Sequence, residues 1–310
     1  MTETALRLGA RVGPLPGWQL ATLVDAWDES PSARTLVLEV PTWPGHLAGQ
    51  HLDVRLTAED GYRAERSYSI GAGAGAGIAT VVEGSGSSRA GYHPAPRSSA
   101  PPASPATPAR DDPDPALSTD VPRVEITVQR VPGGEVSGYL TDPVEGFRVG
   151  YPVEVRGPVG GWFVWDPDDT DPMVAGRPVL LVAGGSGVVP LMAMVRARRA
   201  ARSRVPFRLV YSVRTPDDRL YVDELTRPRA GDQGLDITVV HTRAAPLDAR
   251  RGPGRLTPAE LAAHGWPADL EPVCYVCGPT PFVEVVARML LLQGHAPERI
   301  RTERFGPAGD

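Results

Sequence analysis

An uninterrupted apolar run at residues 179–183 constrains the fold of this chain more than any other segment. A run with no polar face is typical of a strand that is buried on both sides, as in parallel sheets covered by helices. An amphipathic stretch at residues 190–202 follows it, and strand and helix signals then alternate to residue 304. Because strands that alternate with helices form parallel sheets, this part of the chain is predicted to be a doubly wound α/β domain.

The part of the chain before this run has a different pattern. Short strand signals, separated by turns rich in Pro, Gly and Asp, occur at residues 19–24, 35–40, 52–56, 66–70, 124–128 and 153–155. Such a series predicts a small antiparallel β-barrel. A chain of 310 residues also exceeds what one core usually organises. We therefore expect a flexible tail at 1–14, a barrel domain at 15–170 and an α/β domain at 171–310.

Low-complexity sequence interrupts the barrel pattern. Residues 71–77 alternate Gly with Ala, and residues 89–122 are rich in Pro, Ser, Ala and Asp. So few aliphatic side chains cannot offset the entropy lost on ordering. A mobile surface insertion is predicted at about 84–122, with residues 78–82 as a strand or strand extension before it.

Composition excludes several mechanisms. All 32 basic residues are arginine, which rules out a Schiff-base lysine and the lysine of a Walker-type phosphate loop. The two cysteines are too few for an iron–sulfur cluster held by four thiolates. The six histidines show no metal-ligand spacing, so no metal site is expected.

Charge and hydropathy limit the partners and the location. A net charge of −5 argues against a general nucleic-acid surface. No window approaches the ~18 apolar residues of a membrane-spanning helix, and the first residues lack the pattern of a signal peptide. We expect a cytoplasmic protein without a membrane or nucleic-acid partner.

Four residues at the end of one strand signal, Arg66, Ser67, Tyr68 and Ser69, combine a cation, an aromatic ring and two hydroxyls. In an extended segment Arg66 and Tyr68 share one face and the serines share the other. The first face then offers a guanidinium to a phosphate and a ring to a flat cofactor such as a flavin. Taken alone, these residues also suit an ordinary strand end.

A glycine loop, Gly184, Gly185, Ser186 and Gly187, lies between the apolar run and the following helix, with Pro190 close behind. Glycines let the backbone approach a pyrophosphate, and a helix N-terminus supplies unpaired N–H donors and a favourable dipole. The position of the loop on a strand-to-helix turn favours nucleotide binding over a structural turn.

Recognition of the adenosine ribose is expected at the end of the next strand, around Ser212 and Arg214. An arginine there can pair with a 2′-phosphate, whereas an acidic residue favours NAD. Arg214 therefore favours NADP, while Asp217 or Asp218 leaves NAD open.

A later strand ends in the turn Cys277, Gly278 and Pro279. The carboxyl edge of a parallel sheet is where a cofactor crevice is expected, and a small side chain beside a bare glycine leaves room for a nicotinamide ring. A helix entry with proline in its first turn is the structural alternative, and the two are compatible. Cys274, on the same strand, is interpreted as a small core residue.

A second glycine pair, Gly133 and Gly134, precedes a short helical signal that contains Val136 and Ser137. Its exposed amides can hold another pyrophosphate, although by itself the segment also suits a hairpin turn.

In this order the motifs resemble those of the ferredoxin–NADP reductase family of flavin-dependent oxidoreductases. Residues 66–69 match its R-x-Y-S flavin motif, 133–137 its flavin-pyrophosphate loop, 184–190 its pyridine-nucleotide loop and 277–279 its nicotinamide-side turn. Residues 303–305 resemble the terminal segment found near the flavin. The resemblance extends from Trp18 to Phe305, and no fused ferredoxin module is expected.

The resemblance implies a barrel that binds FAD and an α/β domain that binds NADPH or NADH. Tyr68 would pack on the isoalloxazine, Arg66 would hold phosphate, and Ser69 would lie near the reactive edge. Ser69, Cys277 and Glu303 are the candidate catalytic residues, with Glu303 tuning the proton environment of the flavin. Together with the residues argued above, the predicted cofactor-binding set is Arg66, Ser67, Tyr68, Ser69, Gly133, Gly134, Val136, Ser137, Gly184, Gly185, Ser186, Gly187, Pro190, Ser212, Arg214, Gly278, Pro279 and Phe305.

The predicted function is hydride transfer from NAD(P)H to bound FAD, followed by single-electron transfer to an external redox protein, either a ferredoxin or an oxygenase component. A monomer is expected. One alternative is a flavin or siderophore reductase that acts on a small diffusible acceptor. Another is a non-catalytic nucleotide-binding subunit of a larger redox complex.

Overall fold

The computed structural model describes residues 17–72, 121–226 and 232–306. The predicted tail at 1–14, the strand at 78–82 and nearly all of the predicted insertion at 84–122 lie outside the described residues.

The first domain is an antiparallel sheet of six strands that closes on itself. Its hydrogen-bonded order is β4-β3-β6-β1-β2-β5, and a bridge between Ile70 and Ile126 joins the two edges. A short helix, α1 (Glu135–Thr141), lies between the last two strands. The strands are β1 (Gln19–Ser30), β2 (Ala33–Glu39), β3 (His51–Thr57), β4 (Arg63–Ser69), β5 (Arg123–Gln129) and β6 (Pro152–Val159). The barrel predicted from the turn-rich pattern is confirmed.

The first strand is longer than its sequence pattern predicts. It runs to Ser30 instead of ending at residue 24, with register shifts between Leu23 and Asp25 and between Asp28 and Ser30. Such irregularities break the strict alternation of apolar and polar residues, which is why the sequence pattern stops early.

The barrel interior is filled by alternate strand residues. In β5, Val124, Ile126 and Val128 are fully buried, as the two-residue period of a strand requires. Each such side chain contributes about 1.5–3 kcal/mol to stability relative to an exposed position.

The second domain is a parallel sheet of five strands in the order β11-β10-β7-β8-β9, with helices between them. The strands are β7 (Val179–Gly184), β8 (Phe207–Val213), β9 (Leu235–His241), β10 (Val273–Pro279) and β11 (Ile300–Phe305). The helices are α2 (Val188–Ala200), α3 (Val222–Thr226), α4 (Pro258–His264) and α5 (Thr280–Leu292). The predicted doubly wound α/β class is confirmed.

The strand order reverses direction between β7 and β10. The chain adds β8 and β9 on one side of β7 and then returns to add β10 and β11 on the other side. Ligands of such sheets bind outside the carboxyl ends of the strands at this switch point.

The two domains pack directly on each other. Ala33 and Ala48 of the barrel belong to the same buried apolar cluster as the residues of β7 and α2. The hydroxyl of Tyr275 in β10 donates to the carbonyl of Val164, 2.8 Å away. The predicted boundary at residue 170 stays a prediction.

Within the described ranges, none of the helices combines the length and the apolar character needed to cross a membrane. The same ranges contain no group of three or more His, Cys, Asp or Glu side chains placed to hold a metal ion.

Candidate functional site

The glycine loop and the 277–279 turn meet at the switch point. A Cβ atom on Gly187 would lie 2.2 Å from the carbonyl oxygen of Cys277, and one on Gly184 would lie 2.7 Å from the ring of Phe282. Gly185 adopts a φ of +55°, which favours glycine. The two turns therefore touch through backbone, and only residues without a side chain allow this contact. Ser186 completes the 3₁₀ turn, and Pro190 is buried in the first turn of α2.

The predicted adenosine-side residues lie next to this loop. Ser212 is buried and pairs with Gly184 in the parallel ladder between β7 and β8. Arg214 is exposed immediately beyond the end of β8.

A cationic environment surrounds the end of β9, which the sequence did not suggest. Burial, and then the charges of Arg219 and Arg251, lower the pKa of His241. The Nε atom of Arg219 is buried without a hydrogen-bond partner in the described part of the chain. These groups come together only because parallel strands end at one edge of the sheet, so no local motif marks them.

The predicted flavin motif occupies the end of β4. Tyr68 is half-buried against the barrel core, and burial raises its pKa. Arg66 is exposed on the same face, and its guanidinium donates to the carbonyl of Glu65 at 2.7 Å. The predicted alternation of faces is therefore present.

Ser67, on the other face of β4, is engaged by the barrel itself. Its hydroxyl donates to Asp53 at 2.6 Å, and the same carboxylate accepts from Arg156 at 2.7 Å. The Ser67 side chain therefore points away from the face that carries Tyr68, and only the Ser67 backbone lies close to that face.

The second glycine pair begins α1. Gly133 has a φ of +73°, and Gly134 is the N-cap of the helix. The Ser137 hydroxyl accepts from the backbone N–H of Val131 at 3.1 Å and closes the turn, while the Val136 side chain is buried in the barrel core. The first N–H groups of the helix, which have no intrahelical partner, are the groups this segment can offer to an anion.

The three candidate catalytic residues are connected across the seam between the domains through strand neighbours and His51. Cys277 is opposite Glu303 in the ladder between β10 and β11. The carboxylate Oε1 of Glu303 is 3.8 Å from Nδ1 of His51, and His51 is opposite Ser69 in the ladder between β3 and β4. Sequence reasoning missed His51, because nothing in its own strand distinguishes it from other strand residues.

The end of the last strand reaches the same place. Phe305 is opposite Pro279 in the parallel ladder and packs against the core of the α/β domain. It therefore lies beside the turn at 277–279.

Known proteins resemble this chain in sequence and in fold. Residues 181–288 match the model of the oxidoreductase NAD-binding domain. The glycine betaine monooxygenase reductase subunit of Pseudomonas aeruginosa is 33% identical over 186 residues, which are 59% of this chain and 47% of that protein.

Two solved structures share the fold. A cytochrome P450 reductase of Amycolatopsis has a TM-score of 0.68 at 24% identity, and the match covers 96% of this chain and 72% of that one. A ferredoxin NADP+ reductase of Neisseria gonorrhoeae with bound FAD and NADP has a TM-score of 0.64 at 16% identity, with 93% and 98% covered. The chain shares the two-domain fold of these reductases. It spans about half the length of the curated relatives it matches.

Burial shifts the pKa values of two side chains at the seam between the domains. Burial raises the pKa of Glu303 to about 7, and its Oε2 atom is shielded from solvent with no hydrogen-bond partner among the described residues. Burial, and then the nearby Glu303 charge, raise the pKa of the Cys277 thiol well above its usual range. The Glu303 carboxyl therefore ionises near neutral pH, whereas the Cys277 thiol stays protonated and is not a nucleophile.

The other cysteine lies in the core of the α/β domain. Cys274 is fully buried on the opposite face of β10, and its Sγ atom is 3.8 Å from Nδ1 of His295. Both cysteines are free thiols, so the C-x-x-C spacing does not form a disulfide.

Proposed function

We propose that the protein is an NAD(P)H-dependent flavoprotein reductase that binds FAD on the barrel and the pyridine nucleotide at the switch point of the parallel sheet. One observation carries this proposal. The strand with the predicted flavin motif and the turn with the predicted nicotinamide contact meet through Ser69, His51, Glu303 and Cys277 at the domain seam.

The residues on the barrel side fit FAD. Tyr68 presents a half-buried ring and Arg66 an exposed guanidinium on one face of β4. On the α/β side of the seam, the buried, unpartnered Oε2 of Glu303 requires a hydrogen-bond donor that the described residues do not supply. Tyr68 would hold the ring system, while Arg66 and the N–H groups that follow Gly134 would hold the diphosphate. When bound, FAD would accept a hydride from the reduced nicotinamide and release electrons singly.

The α/β side fits a pyridine nucleotide. The amides of the loop at 184–187 and the start of α2 would hold the pyrophosphate, because these N–H groups and the helix dipole both favour an anion. Gly278 would leave space for the nicotinamide. Arg214 favours NADPH, because its guanidinium can pair with the 2′-phosphate of that nucleotide.

The protein's own contribution to the reaction is position and proton control. Hydride transfer needs the two reacting atoms at about 3–3.5 Å, which two rings held on facing domains can reach. The neutral, buried thiol of Cys277 would pack against the nicotinamide side. Glu303 can hold or release a proton at its carboxylate near neutral pH.

The partner we propose is an external oxygenase component or a ferredoxin. The relatives support this class of acceptor, since one is named a monooxygenase reductase subunit and another a cytochrome P450 reductase. We further propose a monomer that works in the cytoplasm.

The test is reconstitution with FAD, removal of free flavin by gel filtration and anaerobic addition of NADPH or NADH. We expect retained yellow protein whose flavin absorbance bleaches within seconds and which then reduces cytochrome c. A protein that takes up no FAD, or whose flavin is not bleached by either nucleotide, would contradict the proposal. Reduction of free flavin or a ferric siderophore without cytochrome c reduction would favour a diffusible acceptor instead.

A further inference from the structure

Tyr221 joins the two domains through two of its own groups. Its backbone N–H donates to Oε2 of Glu29 in β1 at 3.0 Å, and its hydroxyl is 2.6 Å from that of Thr127 in β5. The residue is buried and has a φ of +54°, a conformation that residues other than glycine seldom adopt unless their surroundings enforce it. The two contacts reach two different barrel strands, so they hold the α/β domain at two points of the barrel.

The hydroxyl contact is one end of a buried chain of hydrogen bonds. Thr35 donates to Oε1 of Glu29 at 3.0 Å, and its oxygen is 2.7 Å from the hydroxyl of Thr127. A hydroxyl carries a single hydrogen, so the donation by Thr35 makes Thr127 donate to Thr35 and Tyr221 donate to Thr127. All the hydroxyls therefore point toward the Glu29 carboxylate, and the chain is closed by the backbone N–H of Tyr221. Buried networks that are fully satisfied hold their geometry tightly.

A guanidinium reinforces the same contact. Arg196 lies over the ring of Tyr221 at 5.0 Å, donates to the carbonyl of Gly71 at 2.7 Å and pairs with Glu125 of β5 and Glu224 of α3. Gly71 comes two residues after Ser69, the end of the predicted flavin motif.

Arg196 also belongs to the helix that starts at the nucleotide loop. It lies eight residues after Val188, the first residue of α2, which is about 12 Å along a rigid helix. The segment that directly follows the strand expected to hold the flavin is thus connected by one side chain to the helix expected to hold the pyrophosphate. This contact and those of Tyr221 therefore oppose a change in the orientation of the domains.

We propose that Tyr221 is a positioning residue for hydride transfer. Through Glu29 and Thr127, and with Arg196 over its ring, it fixes the orientation of the α/β domain on the barrel and so the distance between the two bound rings. This inference rests on the proposed function. It concerns a contact remote from the reacting atoms.

The first test needs no cofactor. Spin labels on the exposed sites Asp60→Cys and Ala262→Cys place one probe on each domain, and the native cysteines are buried. Pulsed electron–electron double resonance measures the distance between the two labels in the ligand-free protein. The labelled protein without further changes should give one narrow distance distribution. Adding Tyr221→Phe or Thr127→Val should broaden or shift it. Tyr211→Phe is the matched control, since this buried tyrosine hydroxyl accepts from Leu220 of its own domain.

The second test uses the FAD-loaded protein in stopped flow. In Tyr221→Phe the dissociation constant for the nucleotide should stay within about twofold, while flavin reduction slows by about tenfold or more, since a misplacement of ~1 Å can cost on the order of a hundredfold. The nicotinamide–flavin charge-transfer absorbance should weaken in parallel.

An unchanged distance distribution in Tyr221→Phe would overturn the positioning role, and so would an equal response in Tyr211→Phe. A wild-type protein that binds no FAD would contradict the proposed function instead, and the distance measurement would still decide whether Tyr221 sets the domain orientation.

Discussion

Replacing Glu303 by glutamine should stabilise the ligand-free protein, and the gain should grow with pH. In the unfolded chain this carboxyl ionises near its usual pKa of 4.5, whereas burial raises the pKa in the folded protein to about 7. Between these values the folded state binds more protons than the unfolded state, so the free energy of unfolding falls as pH rises. Glutamine has the same shape and never ionises, so the free energy of unfolding of the variant does not fall with pH for this reason.

The size of the effect follows from the two pKa values. At 1.36 kcal/mol for each pH unit, a change from 4.5 to about 7 corresponds to about 3 kcal/mol. The variant should match the wild type near pH 4.5 and exceed it by up to about 3 kcal/mol above pH 7. The side chain is 22% exposed and one oxygen lies 3.8 Å from His51, so solvent and the imidazole reduce the gain below this upper value.

Urea unfolding of the apoprotein at about pH 5, 6, 7 and 8 measures this difference. The matched control is Glu298→Gln, which removes the same charge from an exposed position and should follow the wild type at every pH. A gap between Glu303→Gln and the wild type that does not change with pH would refute the reasoning, because a packing effect has no such dependence. In the FAD-loaded protein the same variant should slow turnover near neutral pH, since it can no longer exchange a proton.

Three further outcomes are expected. Tyr68→Ala should weaken FAD binding about tenfold because the stacking ring is lost, and a fluorescence titration with unchanged affinity would contradict the ring contact. Arg214→Ala should raise the KM for NADPH at least about tenfold and leave that for NADH unchanged, since only NADPH carries the 2′-phosphate; equal losses with both nucleotides would exclude that role. Gly187→Ala should cost about 1–3 kcal/mol, because its Cβ would lie 2.2 Å from the carbonyl oxygen of Cys277. Thermal unfolding measures this loss against the control Gly252→Ala, whose new Cβ would point into open space and should leave the melting temperature close to that of the wild type. Similar melting temperatures for the two variants would contradict the close contact between Gly187 and Cys277.

Local motifs predicted turns at two places that the structure brings together. The loop at 184–187 and the turn at 277–279 were each predicted from glycine and proline positions, and the structure brings them into contact. Side-chain roles were harder to predict. Ser67 belongs to the motif by sequence, yet its hydroxyl is held by Asp53, a partner fourteen residues away on the neighbouring strand.

The sequence by itself determined the two fold classes and their order along the chain. The wholly apolar run at 179–183 fits only a strand covered on both faces, and the turn-rich strands before it fit an antiparallel barrel. These are local periodicities, and burial of apolar surface acts on them directly.

Only the tertiary structure decided which side chains face each other across the domain seam. His51 lies beside Glu303, and Tyr221 bonds to Glu29 and Thr127, although each pair is separated by roughly a hundred residues or more. Such contacts depend on strand register and on how two finished domains pack, and neither leaves a local pattern in the chain. The apolar run at 179–183 predicts where the nucleotide domain begins, but the hydrogen bonds of Tyr221 determine how that domain is oriented on the barrel.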